Sequence, residues 1–197
     1  MSEDKIEVFR HKPSAGELFF FLISGFLLSV PMTVFFESTA QSVLLSDFSF
    51  HSASILLAVV VAPIMEEFAK IFPMFYRHGE TGKSLVTLGF IIGLGFGLSE
   101  FVEYVFIYGV SPLVRLPVIF FHASTTSIAA YGVSKGQTFR YYALAVFLHF
   151  SLNSSATLGA WAAGIYVVIL AVAYFLSGRL YSLSSDKFNL EGLEAVS

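Results

Sequence analysis

The sequence predicts an all-α bundle of about six membrane-spanning helices, and three observations support this fold class. First, 56% of the 197 residues are hydrophobic and only 13% are charged, whereas a soluble domain carries about 25% charged residues. Second, six segments approach the ~20 apolar residues that a helix needs to cross a ~30 Å hydrocarbon core. Third, connections that are rich in basic residues alternate along the chain with connections that are poor in them.

The predicted spans follow one another through short connections, apart from one polar stretch. They cover roughly 17–36, 54–76, 84–109, 113–133, 140–157 and 160–180. Residues 37–53 are polar enough to predict a loop. The first span is longer than a signal-peptide core and lacks a convincing cleavage site, so we expect it to remain as a helix. We therefore predict one membrane domain over 17–180, with tails at 1–16 and 181–197.

The distribution of lysine and arginine predicts the orientation of these spans. Basic residues precede the first span and follow the second, fourth and sixth, at Lys5, Arg10, Lys12, Arg77, Lys83, Lys135, Arg140, Arg179 and Lys187. The other connections are poor in them, with only Arg115 just inside the fourth span. Cytoplasmic loops carry the excess of positive charge. We therefore expect a multi-pass protein with both termini in the cytoplasm.

The composition also excludes several kinds of site. The chain has no cysteine, so a disulfide, a thiolate nucleophile and a cysteine-ligated zinc ion are impossible. Its net charge is −3 and no strongly basic stretch is present, which argues against nucleic acid as a partner. The HExxH helix of the zincin metalloproteases is absent as well.

Ionisable and polar side chains lie within four consecutive predicted spans. A charged residue at the centre of a span costs ~2.5–3.5 kcal/mol even on the lenient insertion scale. The residues are Glu66, Glu67, Lys70, Glu100, Glu103, His122, His149 and Asn153. At ~1.5 Å rise per residue, most of them fall near the middle third of their span. We predict that they share one interior site, except for Glu103, which we expect to make a polar contact near the outer surface.

The spacing of these residues predicts which side chains share a helix face. Glu66 and Lys70 are four residues apart and can form an ion pair on one face. Glu67 then points about 100° away from that face. His149 and Asn153 are also four residues apart and share a face of their own helix.

Glycines in the third predicted span indicate close helix packing. Gly89, Gly93 and Gly97 form two overlapping GxxxG patterns, and small residues let helix backbones approach closely in lipid. We therefore predict that the third span packs centrally, where Glu100 faces the other polar groups.

Two kinds of water-activating chemistry suit this set of residues. A glutamate can act as general base toward a water and then as general acid toward a leaving amine, while histidine and asparagine donate hydrogen bonds to a developing oxyanion. The same side chains could instead bind a divalent metal such as zinc, whose bound water is the nucleophile. Proton- or ion-coupled transport is a further alternative, because such carriers use midplane carboxylates and histidines. No inverted repeat supports it.

Four motifs in order along the chain resemble the PrsW family of membrane proteases. They are the EExxK of Glu66 to Lys70, the FxxxE of Phe96 to Glu100, the pair Phe121-His122 and the HxxxN of His149 to Asn153. The CAAX prenyl proteases and bacteriocin-immunity membrane proteins are similar, but have EExxxR and FxxxH. Lysine one position earlier and glutamate in place of histidine favour PrsW, and prenyl-protein processing is kept as an alternative.

The resemblance implies a peptidase of the cell membrane that acts on membrane-anchored proteins within the lipid bilayer. By resemblance, Glu66 and Glu67 are the essential carboxylates, and His122 and His149 the essential histidines. The best-known role in the family is the first cleavage of a membrane-spanning anti-sigma factor. We expect catalysis by Glu66, Glu67, Glu100, His122, His149 and Asn153. Between a metal ion and a glutamate-activated water, we favour the glutamate.

Overall fold

The part of the chain that the structure describes is a bundle of six long helices. The computed structural model describes residues 12–76 and 81–186, and it is 88% helical. Within these ranges the helices are α1 (Ala15–Asp47), α2 (50–71), α3 (Gly82–Ile107), α4 (Pro112–Ser134), α5 (Thr138–Ser155) and α6 (Ala162–Leu183). A helical turn, Pro73–Tyr76, follows α2, and a 3-10 turn, Gly159–Trp161, precedes α6. The predicted all-α fold is confirmed, and the basic residues Lys5, Arg10, Arg77 and Lys187 lie outside the described residues.

Local capping explains where two of the helices begin. The Ser14 hydroxyl accepts a hydrogen bond from the Glu17 backbone N–H, and the Glu17 carboxylate accepts one from the Ser14 N–H at 2.9 Å. This capping box satisfies two of the free N–H groups at the start of α1. The Thr81 hydroxyl does the same for α3 by accepting from the Ser84 N–H at 3.1 Å, which ends the α2–α3 connection.

The loop predicted at 37–53 is wrong. Helix α1 continues to Asp47, and α2 begins at Phe50 after Ser49 caps it by accepting from the Ser52 N–H. Residues 37–47 contain no glycine or proline, so nothing in them breaks a helix. Serine and threonine hydroxyls in this stretch donate to backbone oxygens three or four residues earlier, so polar side chains are accommodated within the helix.

The outside of the bundle is apolar, as expected of a surface that faces lipid. Large hydrophobic side chains are exposed there, among them Phe35, Phe106, Leu113, Trp161 and Phe175. Helices α1, α3, α4 and α6 are long and apolar enough to cross a membrane, and the chain is a membrane protein. Helices α2 and α5 carry most of the buried acidic and histidine side chains described below.

Glycines bring α3 and α4 into backbone contact. A Cβ atom added at Gly93 would overlap the backbone oxygen of His122, and one at Gly97 would lie 2.7 Å from the Ile119 Cα. A Cβ atom added at Gly89 would likewise overlap the Ala130 Cβ. The predicted close packing is confirmed. Because backbones rather than flexible side chains meet here, the relative position of the two helices is tightly defined.

The opposite face of α3 packs in the same way on α1. A Cβ atom at Gly25 would overlap the Ile92 carbonyl oxygen, and one at Gly95 would overlap the Leu22 carbonyl oxygen. Fully buried Phe21 and Ile92 belong to the hydrophobic core beside these contacts. Helix α3 is therefore the central helix, as the sequence predicted.

Three π-helical turns interrupt the described helices, at Ser24–Leu28 in α1, Leu57–Val61 in α2 and Glu103–Ile107 at the end of α3. A π turn uses i→i+5 hydrogen bonds and occurs frequently at functional sites. The turn in α2 lies just before the Glu66–Glu67 pair. It therefore makes this part of α2 a candidate functional region.

Candidate active site

Glu66 and Glu67 lie near the end of α2 and are both buried. They belong to the α-helical part Ala62–Ile71, which has a proline in its first turn and buries most of its residues. This proline, Pro63, lies inside α2 directly after the π turn, and because proline has no backbone N–H it leaves one helical hydrogen bond unmade there. Although the two carboxylates are adjacent in sequence, they face different surroundings.

Glu67 is held by a dense set of donors. Its Oε1 accepts from Lys70 Nζ at 2.6 Å, from the Thr125 hydroxyl at 3.0 Å and from His149 Nδ1 at 2.9 Å. Lys70 is fully buried and is also near the Phe96 ring. The predicted ion pair between Glu66 and Lys70 is wrong, because the lysine points into the bundle toward α4, on the side where Glu67 lies.

Lys70 also determines the tautomer of His122. Its Nζ is 2.9 Å from His122 Nδ1, and an ammonium group has donors but no acceptor. His122 Nδ1 therefore accepts, and the ring proton is on Nε2. That Nε2–H donates to Glu100 Oε2 at 2.6 Å. Phe96 packs edge-on against the imidazole with the ring centroids 5.1 Å apart, which further restricts the ring.

Glu100 is held from its other side by Arg115. The Arg115 Nη2 group lies 2.7 Å from Glu100 Oε2, so one oxygen accepts from both the guanidinium and His122. The guanidinium also stacks on Tyr104, with Cζ 3.8 Å from the ring centroid. A planar guanidinium can pair and stack at once, which lysine cannot do. Glu100 and His122 are thus held as a unit.

Glu66 differs from Glu67 in lining a cavity and in having no lysine, threonine or histidine within hydrogen-bond distance of its carboxylate. Its Oε2 is buried and has no hydrogen-bond partner, and it lies 3.7 Å from His149 Nε2. Because His149 Nδ1–H donates to Glu67, its Nε2 is left as an acceptor beside Glu66. The His149 and His122 rings are in edge contact, with centroids 5.1 Å apart. The glutamates of α2 with His149 therefore meet the Glu100–His122 pair.

A cavity of about 870 Å³ opens beside these groups. Five of the predicted site residues line it: Glu66, Glu100, His122, His149 and Asn153. Glu67 is not among its lining residues, and its Oε2 is buried without a partner. Much of the remaining wall is apolar, from α2, α4, α5 and α6. A mostly apolar cavity with a few convergent polar groups is typical of a ligand site.

Asn153 lies on the cavity wall one helical turn beyond His149, on the face that the spacing predicted. Its Nδ2 donates to the Ala58 backbone oxygen at 2.9 Å, inside the π turn of α2. This bond fixes the amide group across the gap between α5 and α2. Since an amide nitrogen carries two hydrogens, a second N–H is left for a ligand.

The donor set meets only part of what a catalytic zinc ion requires. Ligand atoms of Glu66, His122 and His149 lie within 4.8 Å of one another. His149 fits, because it donates its other N–H to a carboxylate as metal-ligating histidines do. His122 does not fit, because its Nδ1 accepts from Lys70 and its Nε2–H is given to Glu100. Two suitable ligands fall short of the three protein ligands of catalytic zinc sites.

Several residues of the site were missed or underrated in the sequence. Thr125 contributes a donor to Glu67, and no sequence signal marks it among the other hydroxyl residues of α4. Arg115 did carry a signal, since it is a lone basic residue just inside a span. Tyr142 adds a further link between α5 and α2 by donating to the Ile64 backbone oxygen at 2.8 Å. Glu103 accepts from the Tyr108 hydroxyl at 3.2 Å, outside the site as expected.

A cavity bordered by buried glutamates and histidines, within a bundle of membrane helices, defines a class of membrane-embedded proteins with an interior acid–base centre. Comparison with protein families makes the assignment specific. The family model described as PrsW family intramembrane metalloprotease matches residues 13–177, and the chain belongs to this family. It is therefore an intramembrane protease. Searches of curated proteins and of solved structures found no match.

Proposed function

We propose that this protease cleaves a peptide bond with a water activated by Glu66. The observation that carries the proposal is the position of Glu66, which lines the cavity and whose buried Oε2 lacks a donor and lies 3.7 Å from His149 Nε2. A water bridging both acceptors at ~2.8 Å would form ordinary hydrogen bonds to each. Glu67 is a poorer base, because it does not line the cavity and three donors to its Oε1 stabilise the carboxylate.

The reaction then needs one proton to move twice. Glu66 takes a proton from the bridging water as its oxygen attacks the carbonyl carbon, and a tetrahedral oxyanion forms. The same carboxyl returns the proton to the leaving amine as the C–N bond breaks. The free N–H of Asn153 is the donor for the oxyanion. His149 orients the water, since Glu67 keeps its ring in the tautomer that accepts at Nε2.

Glu100 and His122 complete the proposed machinery from the other wall. Their mutual hydrogen bond and the Arg115 ion pair give both a defined position at the cavity. We propose that these two residues orient the substrate chain. Because His122 is unsuited as a ligand, this mechanism uses no metal ion.

The substrate and the topology are also part of the proposal. We propose a membrane-anchored protein as substrate, such as a signalling protein of the anti-sigma type, cleaved in the cell membrane. We further propose that all six helices cross the bilayer with both termini in the cytoplasm. Membership in a protease family gives no support to transport. A cysteine at Ser46, near the end of α1, should react with impermeant reagents only from outside the cell.

The experiment that tests the mechanism uses purified protein in detergent and quenched single-span peptides. Cleavage is compared for the wild type, Glu66→Gln and Glu67→Gln, each with and without a strong chelator. We expect the wild type to cleave with chelator present and Glu66→Gln to be inactive. Full activity of Glu66→Gln would refute the assignment of the base. Loss of wild-type activity with chelator, restored by zinc, would refute the metal-free mechanism.

A further inference from the structure

Glu37 is a carboxylate of the cavity that the proposed mechanism does not use. It lies in α1, within the stretch that the sequence predicted as a loop. The ring of the preceding residue, Phe36, packs edge-on against Phe68 of α2 with centroids 6.3 Å apart. This contact brings Glu37 close to the level of the Glu66–Glu67 pair, and Glu37 lines the same cavity as Glu66.

The Glu37 carboxylate differs from the other acidic groups nearby in having no partner. Over residues 12–76 and 81–186, no hydrogen bond or ion pair is found for it. In contrast, Glu67 is paired with Lys70 and Glu100 with Arg115. The buried Oε2 of Glu66 is the second acceptor of this cavity without a donor.

The charges that line the cavity are therefore unbalanced. Three carboxylates, from Glu37, Glu66 and Glu100, border it, and the cation among its lining residues, Arg115, is already held by Glu100. An unpaired carboxylate beside apolar walls is costly unless an opposite charge meets it. The volume of about 870 Å³ is within the range of sites that bind sizeable ligands.

We propose that Glu37 is a specificity-determining residue that receives a lysine or arginine side chain of the substrate segment in the cavity. This inference rests on the proposed function, because it assumes that the substrate occupies the cavity beside Glu66. A cation near the scissile bond would pair with Glu37 while the backbone reaches Glu66. Charge pairs formed in such partly desolvated contacts contribute to both selection and orientation of a ligand.

The test measures charge preference in peptides that differ at one position. A quenched single-span peptide carries lysine, norleucine or glutamate at each position in turn around the scissile bond. At one position we expect kcat/KM of the wild type to be about tenfold higher for lysine than for norleucine. Glu37→Gln should bring this ratio close to one, and Glu37→Lys should instead favour the glutamate peptide.

A matched control separates a local charge effect from a general one. Glu103→Gln makes the same chemical change at an acid that lies outside the cavity and is bonded to Tyr108, so the wild-type ratio should persist. The inference is overturned if the wild type prefers lysine at no position, or if Glu37→Gln retains the preference. Cleavage by Glu66→Gln would instead overturn the proposed function, so the two failures are distinguishable.

Discussion

Two sides of the bundle differ in how closely the helices approach. On the packed side, glycines put opposite faces of α3 in backbone contact with α1 and α4. On the open side, α2, α5 and α6 line a cavity of about 870 Å³. Glu100 and His122 come from the packed side, whereas Glu66, His149 and Asn153 come from the open side. The site is thus built where a rigid framework meets a space for substrate.

The adjacent glutamates of α2 show the same contrast at the scale of single residues. Glu67 faces Lys70 and Thr125 and is enclosed by donors. Glu66, one residue earlier, lines the cavity and lacks these donors, although each glutamate has one buried oxygen without a partner. This comparison leads us to propose that Glu67 serves the structure and Glu66 the chemistry, although the sequence presents them as equivalents.

We expect the largest effects from substitution of each glutamate by glutamine. The two variants should also separate the two roles. Glu66→Gln removes the proposed base, so cleavage should fall by roughly 10²–10⁴-fold with little change in unfolding temperature. Glu67→Gln leaves buried Lys70 without its counter-charge, which typically costs ~3–5 kcal/mol. Peptide cleavage and thermal unfolding in detergent measure the two properties. Equal loss of stability in both variants would contradict the division of roles.

Alanine at two glycines should distinguish the packed side from the open side. Gly93→Ala forces a methyl group into the His122 backbone, and overpacking of this kind costs ~1–3 kcal/mol. Gly164→Ala is the matched control, because a Cβ there meets nothing within 4 Å. Chemical or thermal unfolding in detergent gives the comparison. If Gly93→Ala were as stable as the control, the α3–α4 contact would not constrain the site.

Arg115 and Tyr104 should show whether Glu100 must be held in place. Arg115→Lys keeps the charge but loses the stacked planar group, so we expect kcat to fall about tenfold, equivalent to ~1.4 kcal/mol, with KM changed less. Tyr104→Phe keeps the ring under Arg115 and should retain near-wild-type kcat. A larger effect on KM than on kcat in Arg115→Lys would instead indicate direct contact with substrate.

Metal removal should have the smallest effect. Because His122 accepts from Lys70 and donates to Glu100, a strong chelator should leave the cleavage rate of the purified protein unchanged. Elemental analysis of the same sample checks for bound zinc. A stoichiometric ion, together with activity that disappears on chelation, would reverse the interpretation of His122.

The sequence predicted the number of helices in the described residues and the central position of α3, because hydropathy and glycine spacing depend on local composition. It ended the first span at 36, whereas α1 continues to Asp47. It also indicated which helices carry the buried polar groups of the candidate site, since charge buried in lipid is costly. It did not predict the partner of Lys70, because i+3 and i+4 neighbours are both within reach and the choice depends on His122 from a distant helix. Thr125 was missed because its contact with Glu67 also joins distant helices. Glu37 was missed because its segment was predicted as a loop, whereas it lies in α1.

The π turn at Leu57–Val61 holds one residue more than regular α-helical bonding needs, so the length of the chain can change there. Deleting one residue there, such as Val60, would restore ordinary α-helical bonding. At 3.6 residues per turn, every position before the deletion would then rotate by about 100° around the helix axis relative to Glu66. Ser54 and Leu57 would leave the cavity wall, while the acidic pair stayed in place. Ala58 would rotate with them, so the bond that holds Asn153 would be lost as well. Loss of a single codon would thus change both the shape that a substrate must match and the position of the proposed oxyanion donor.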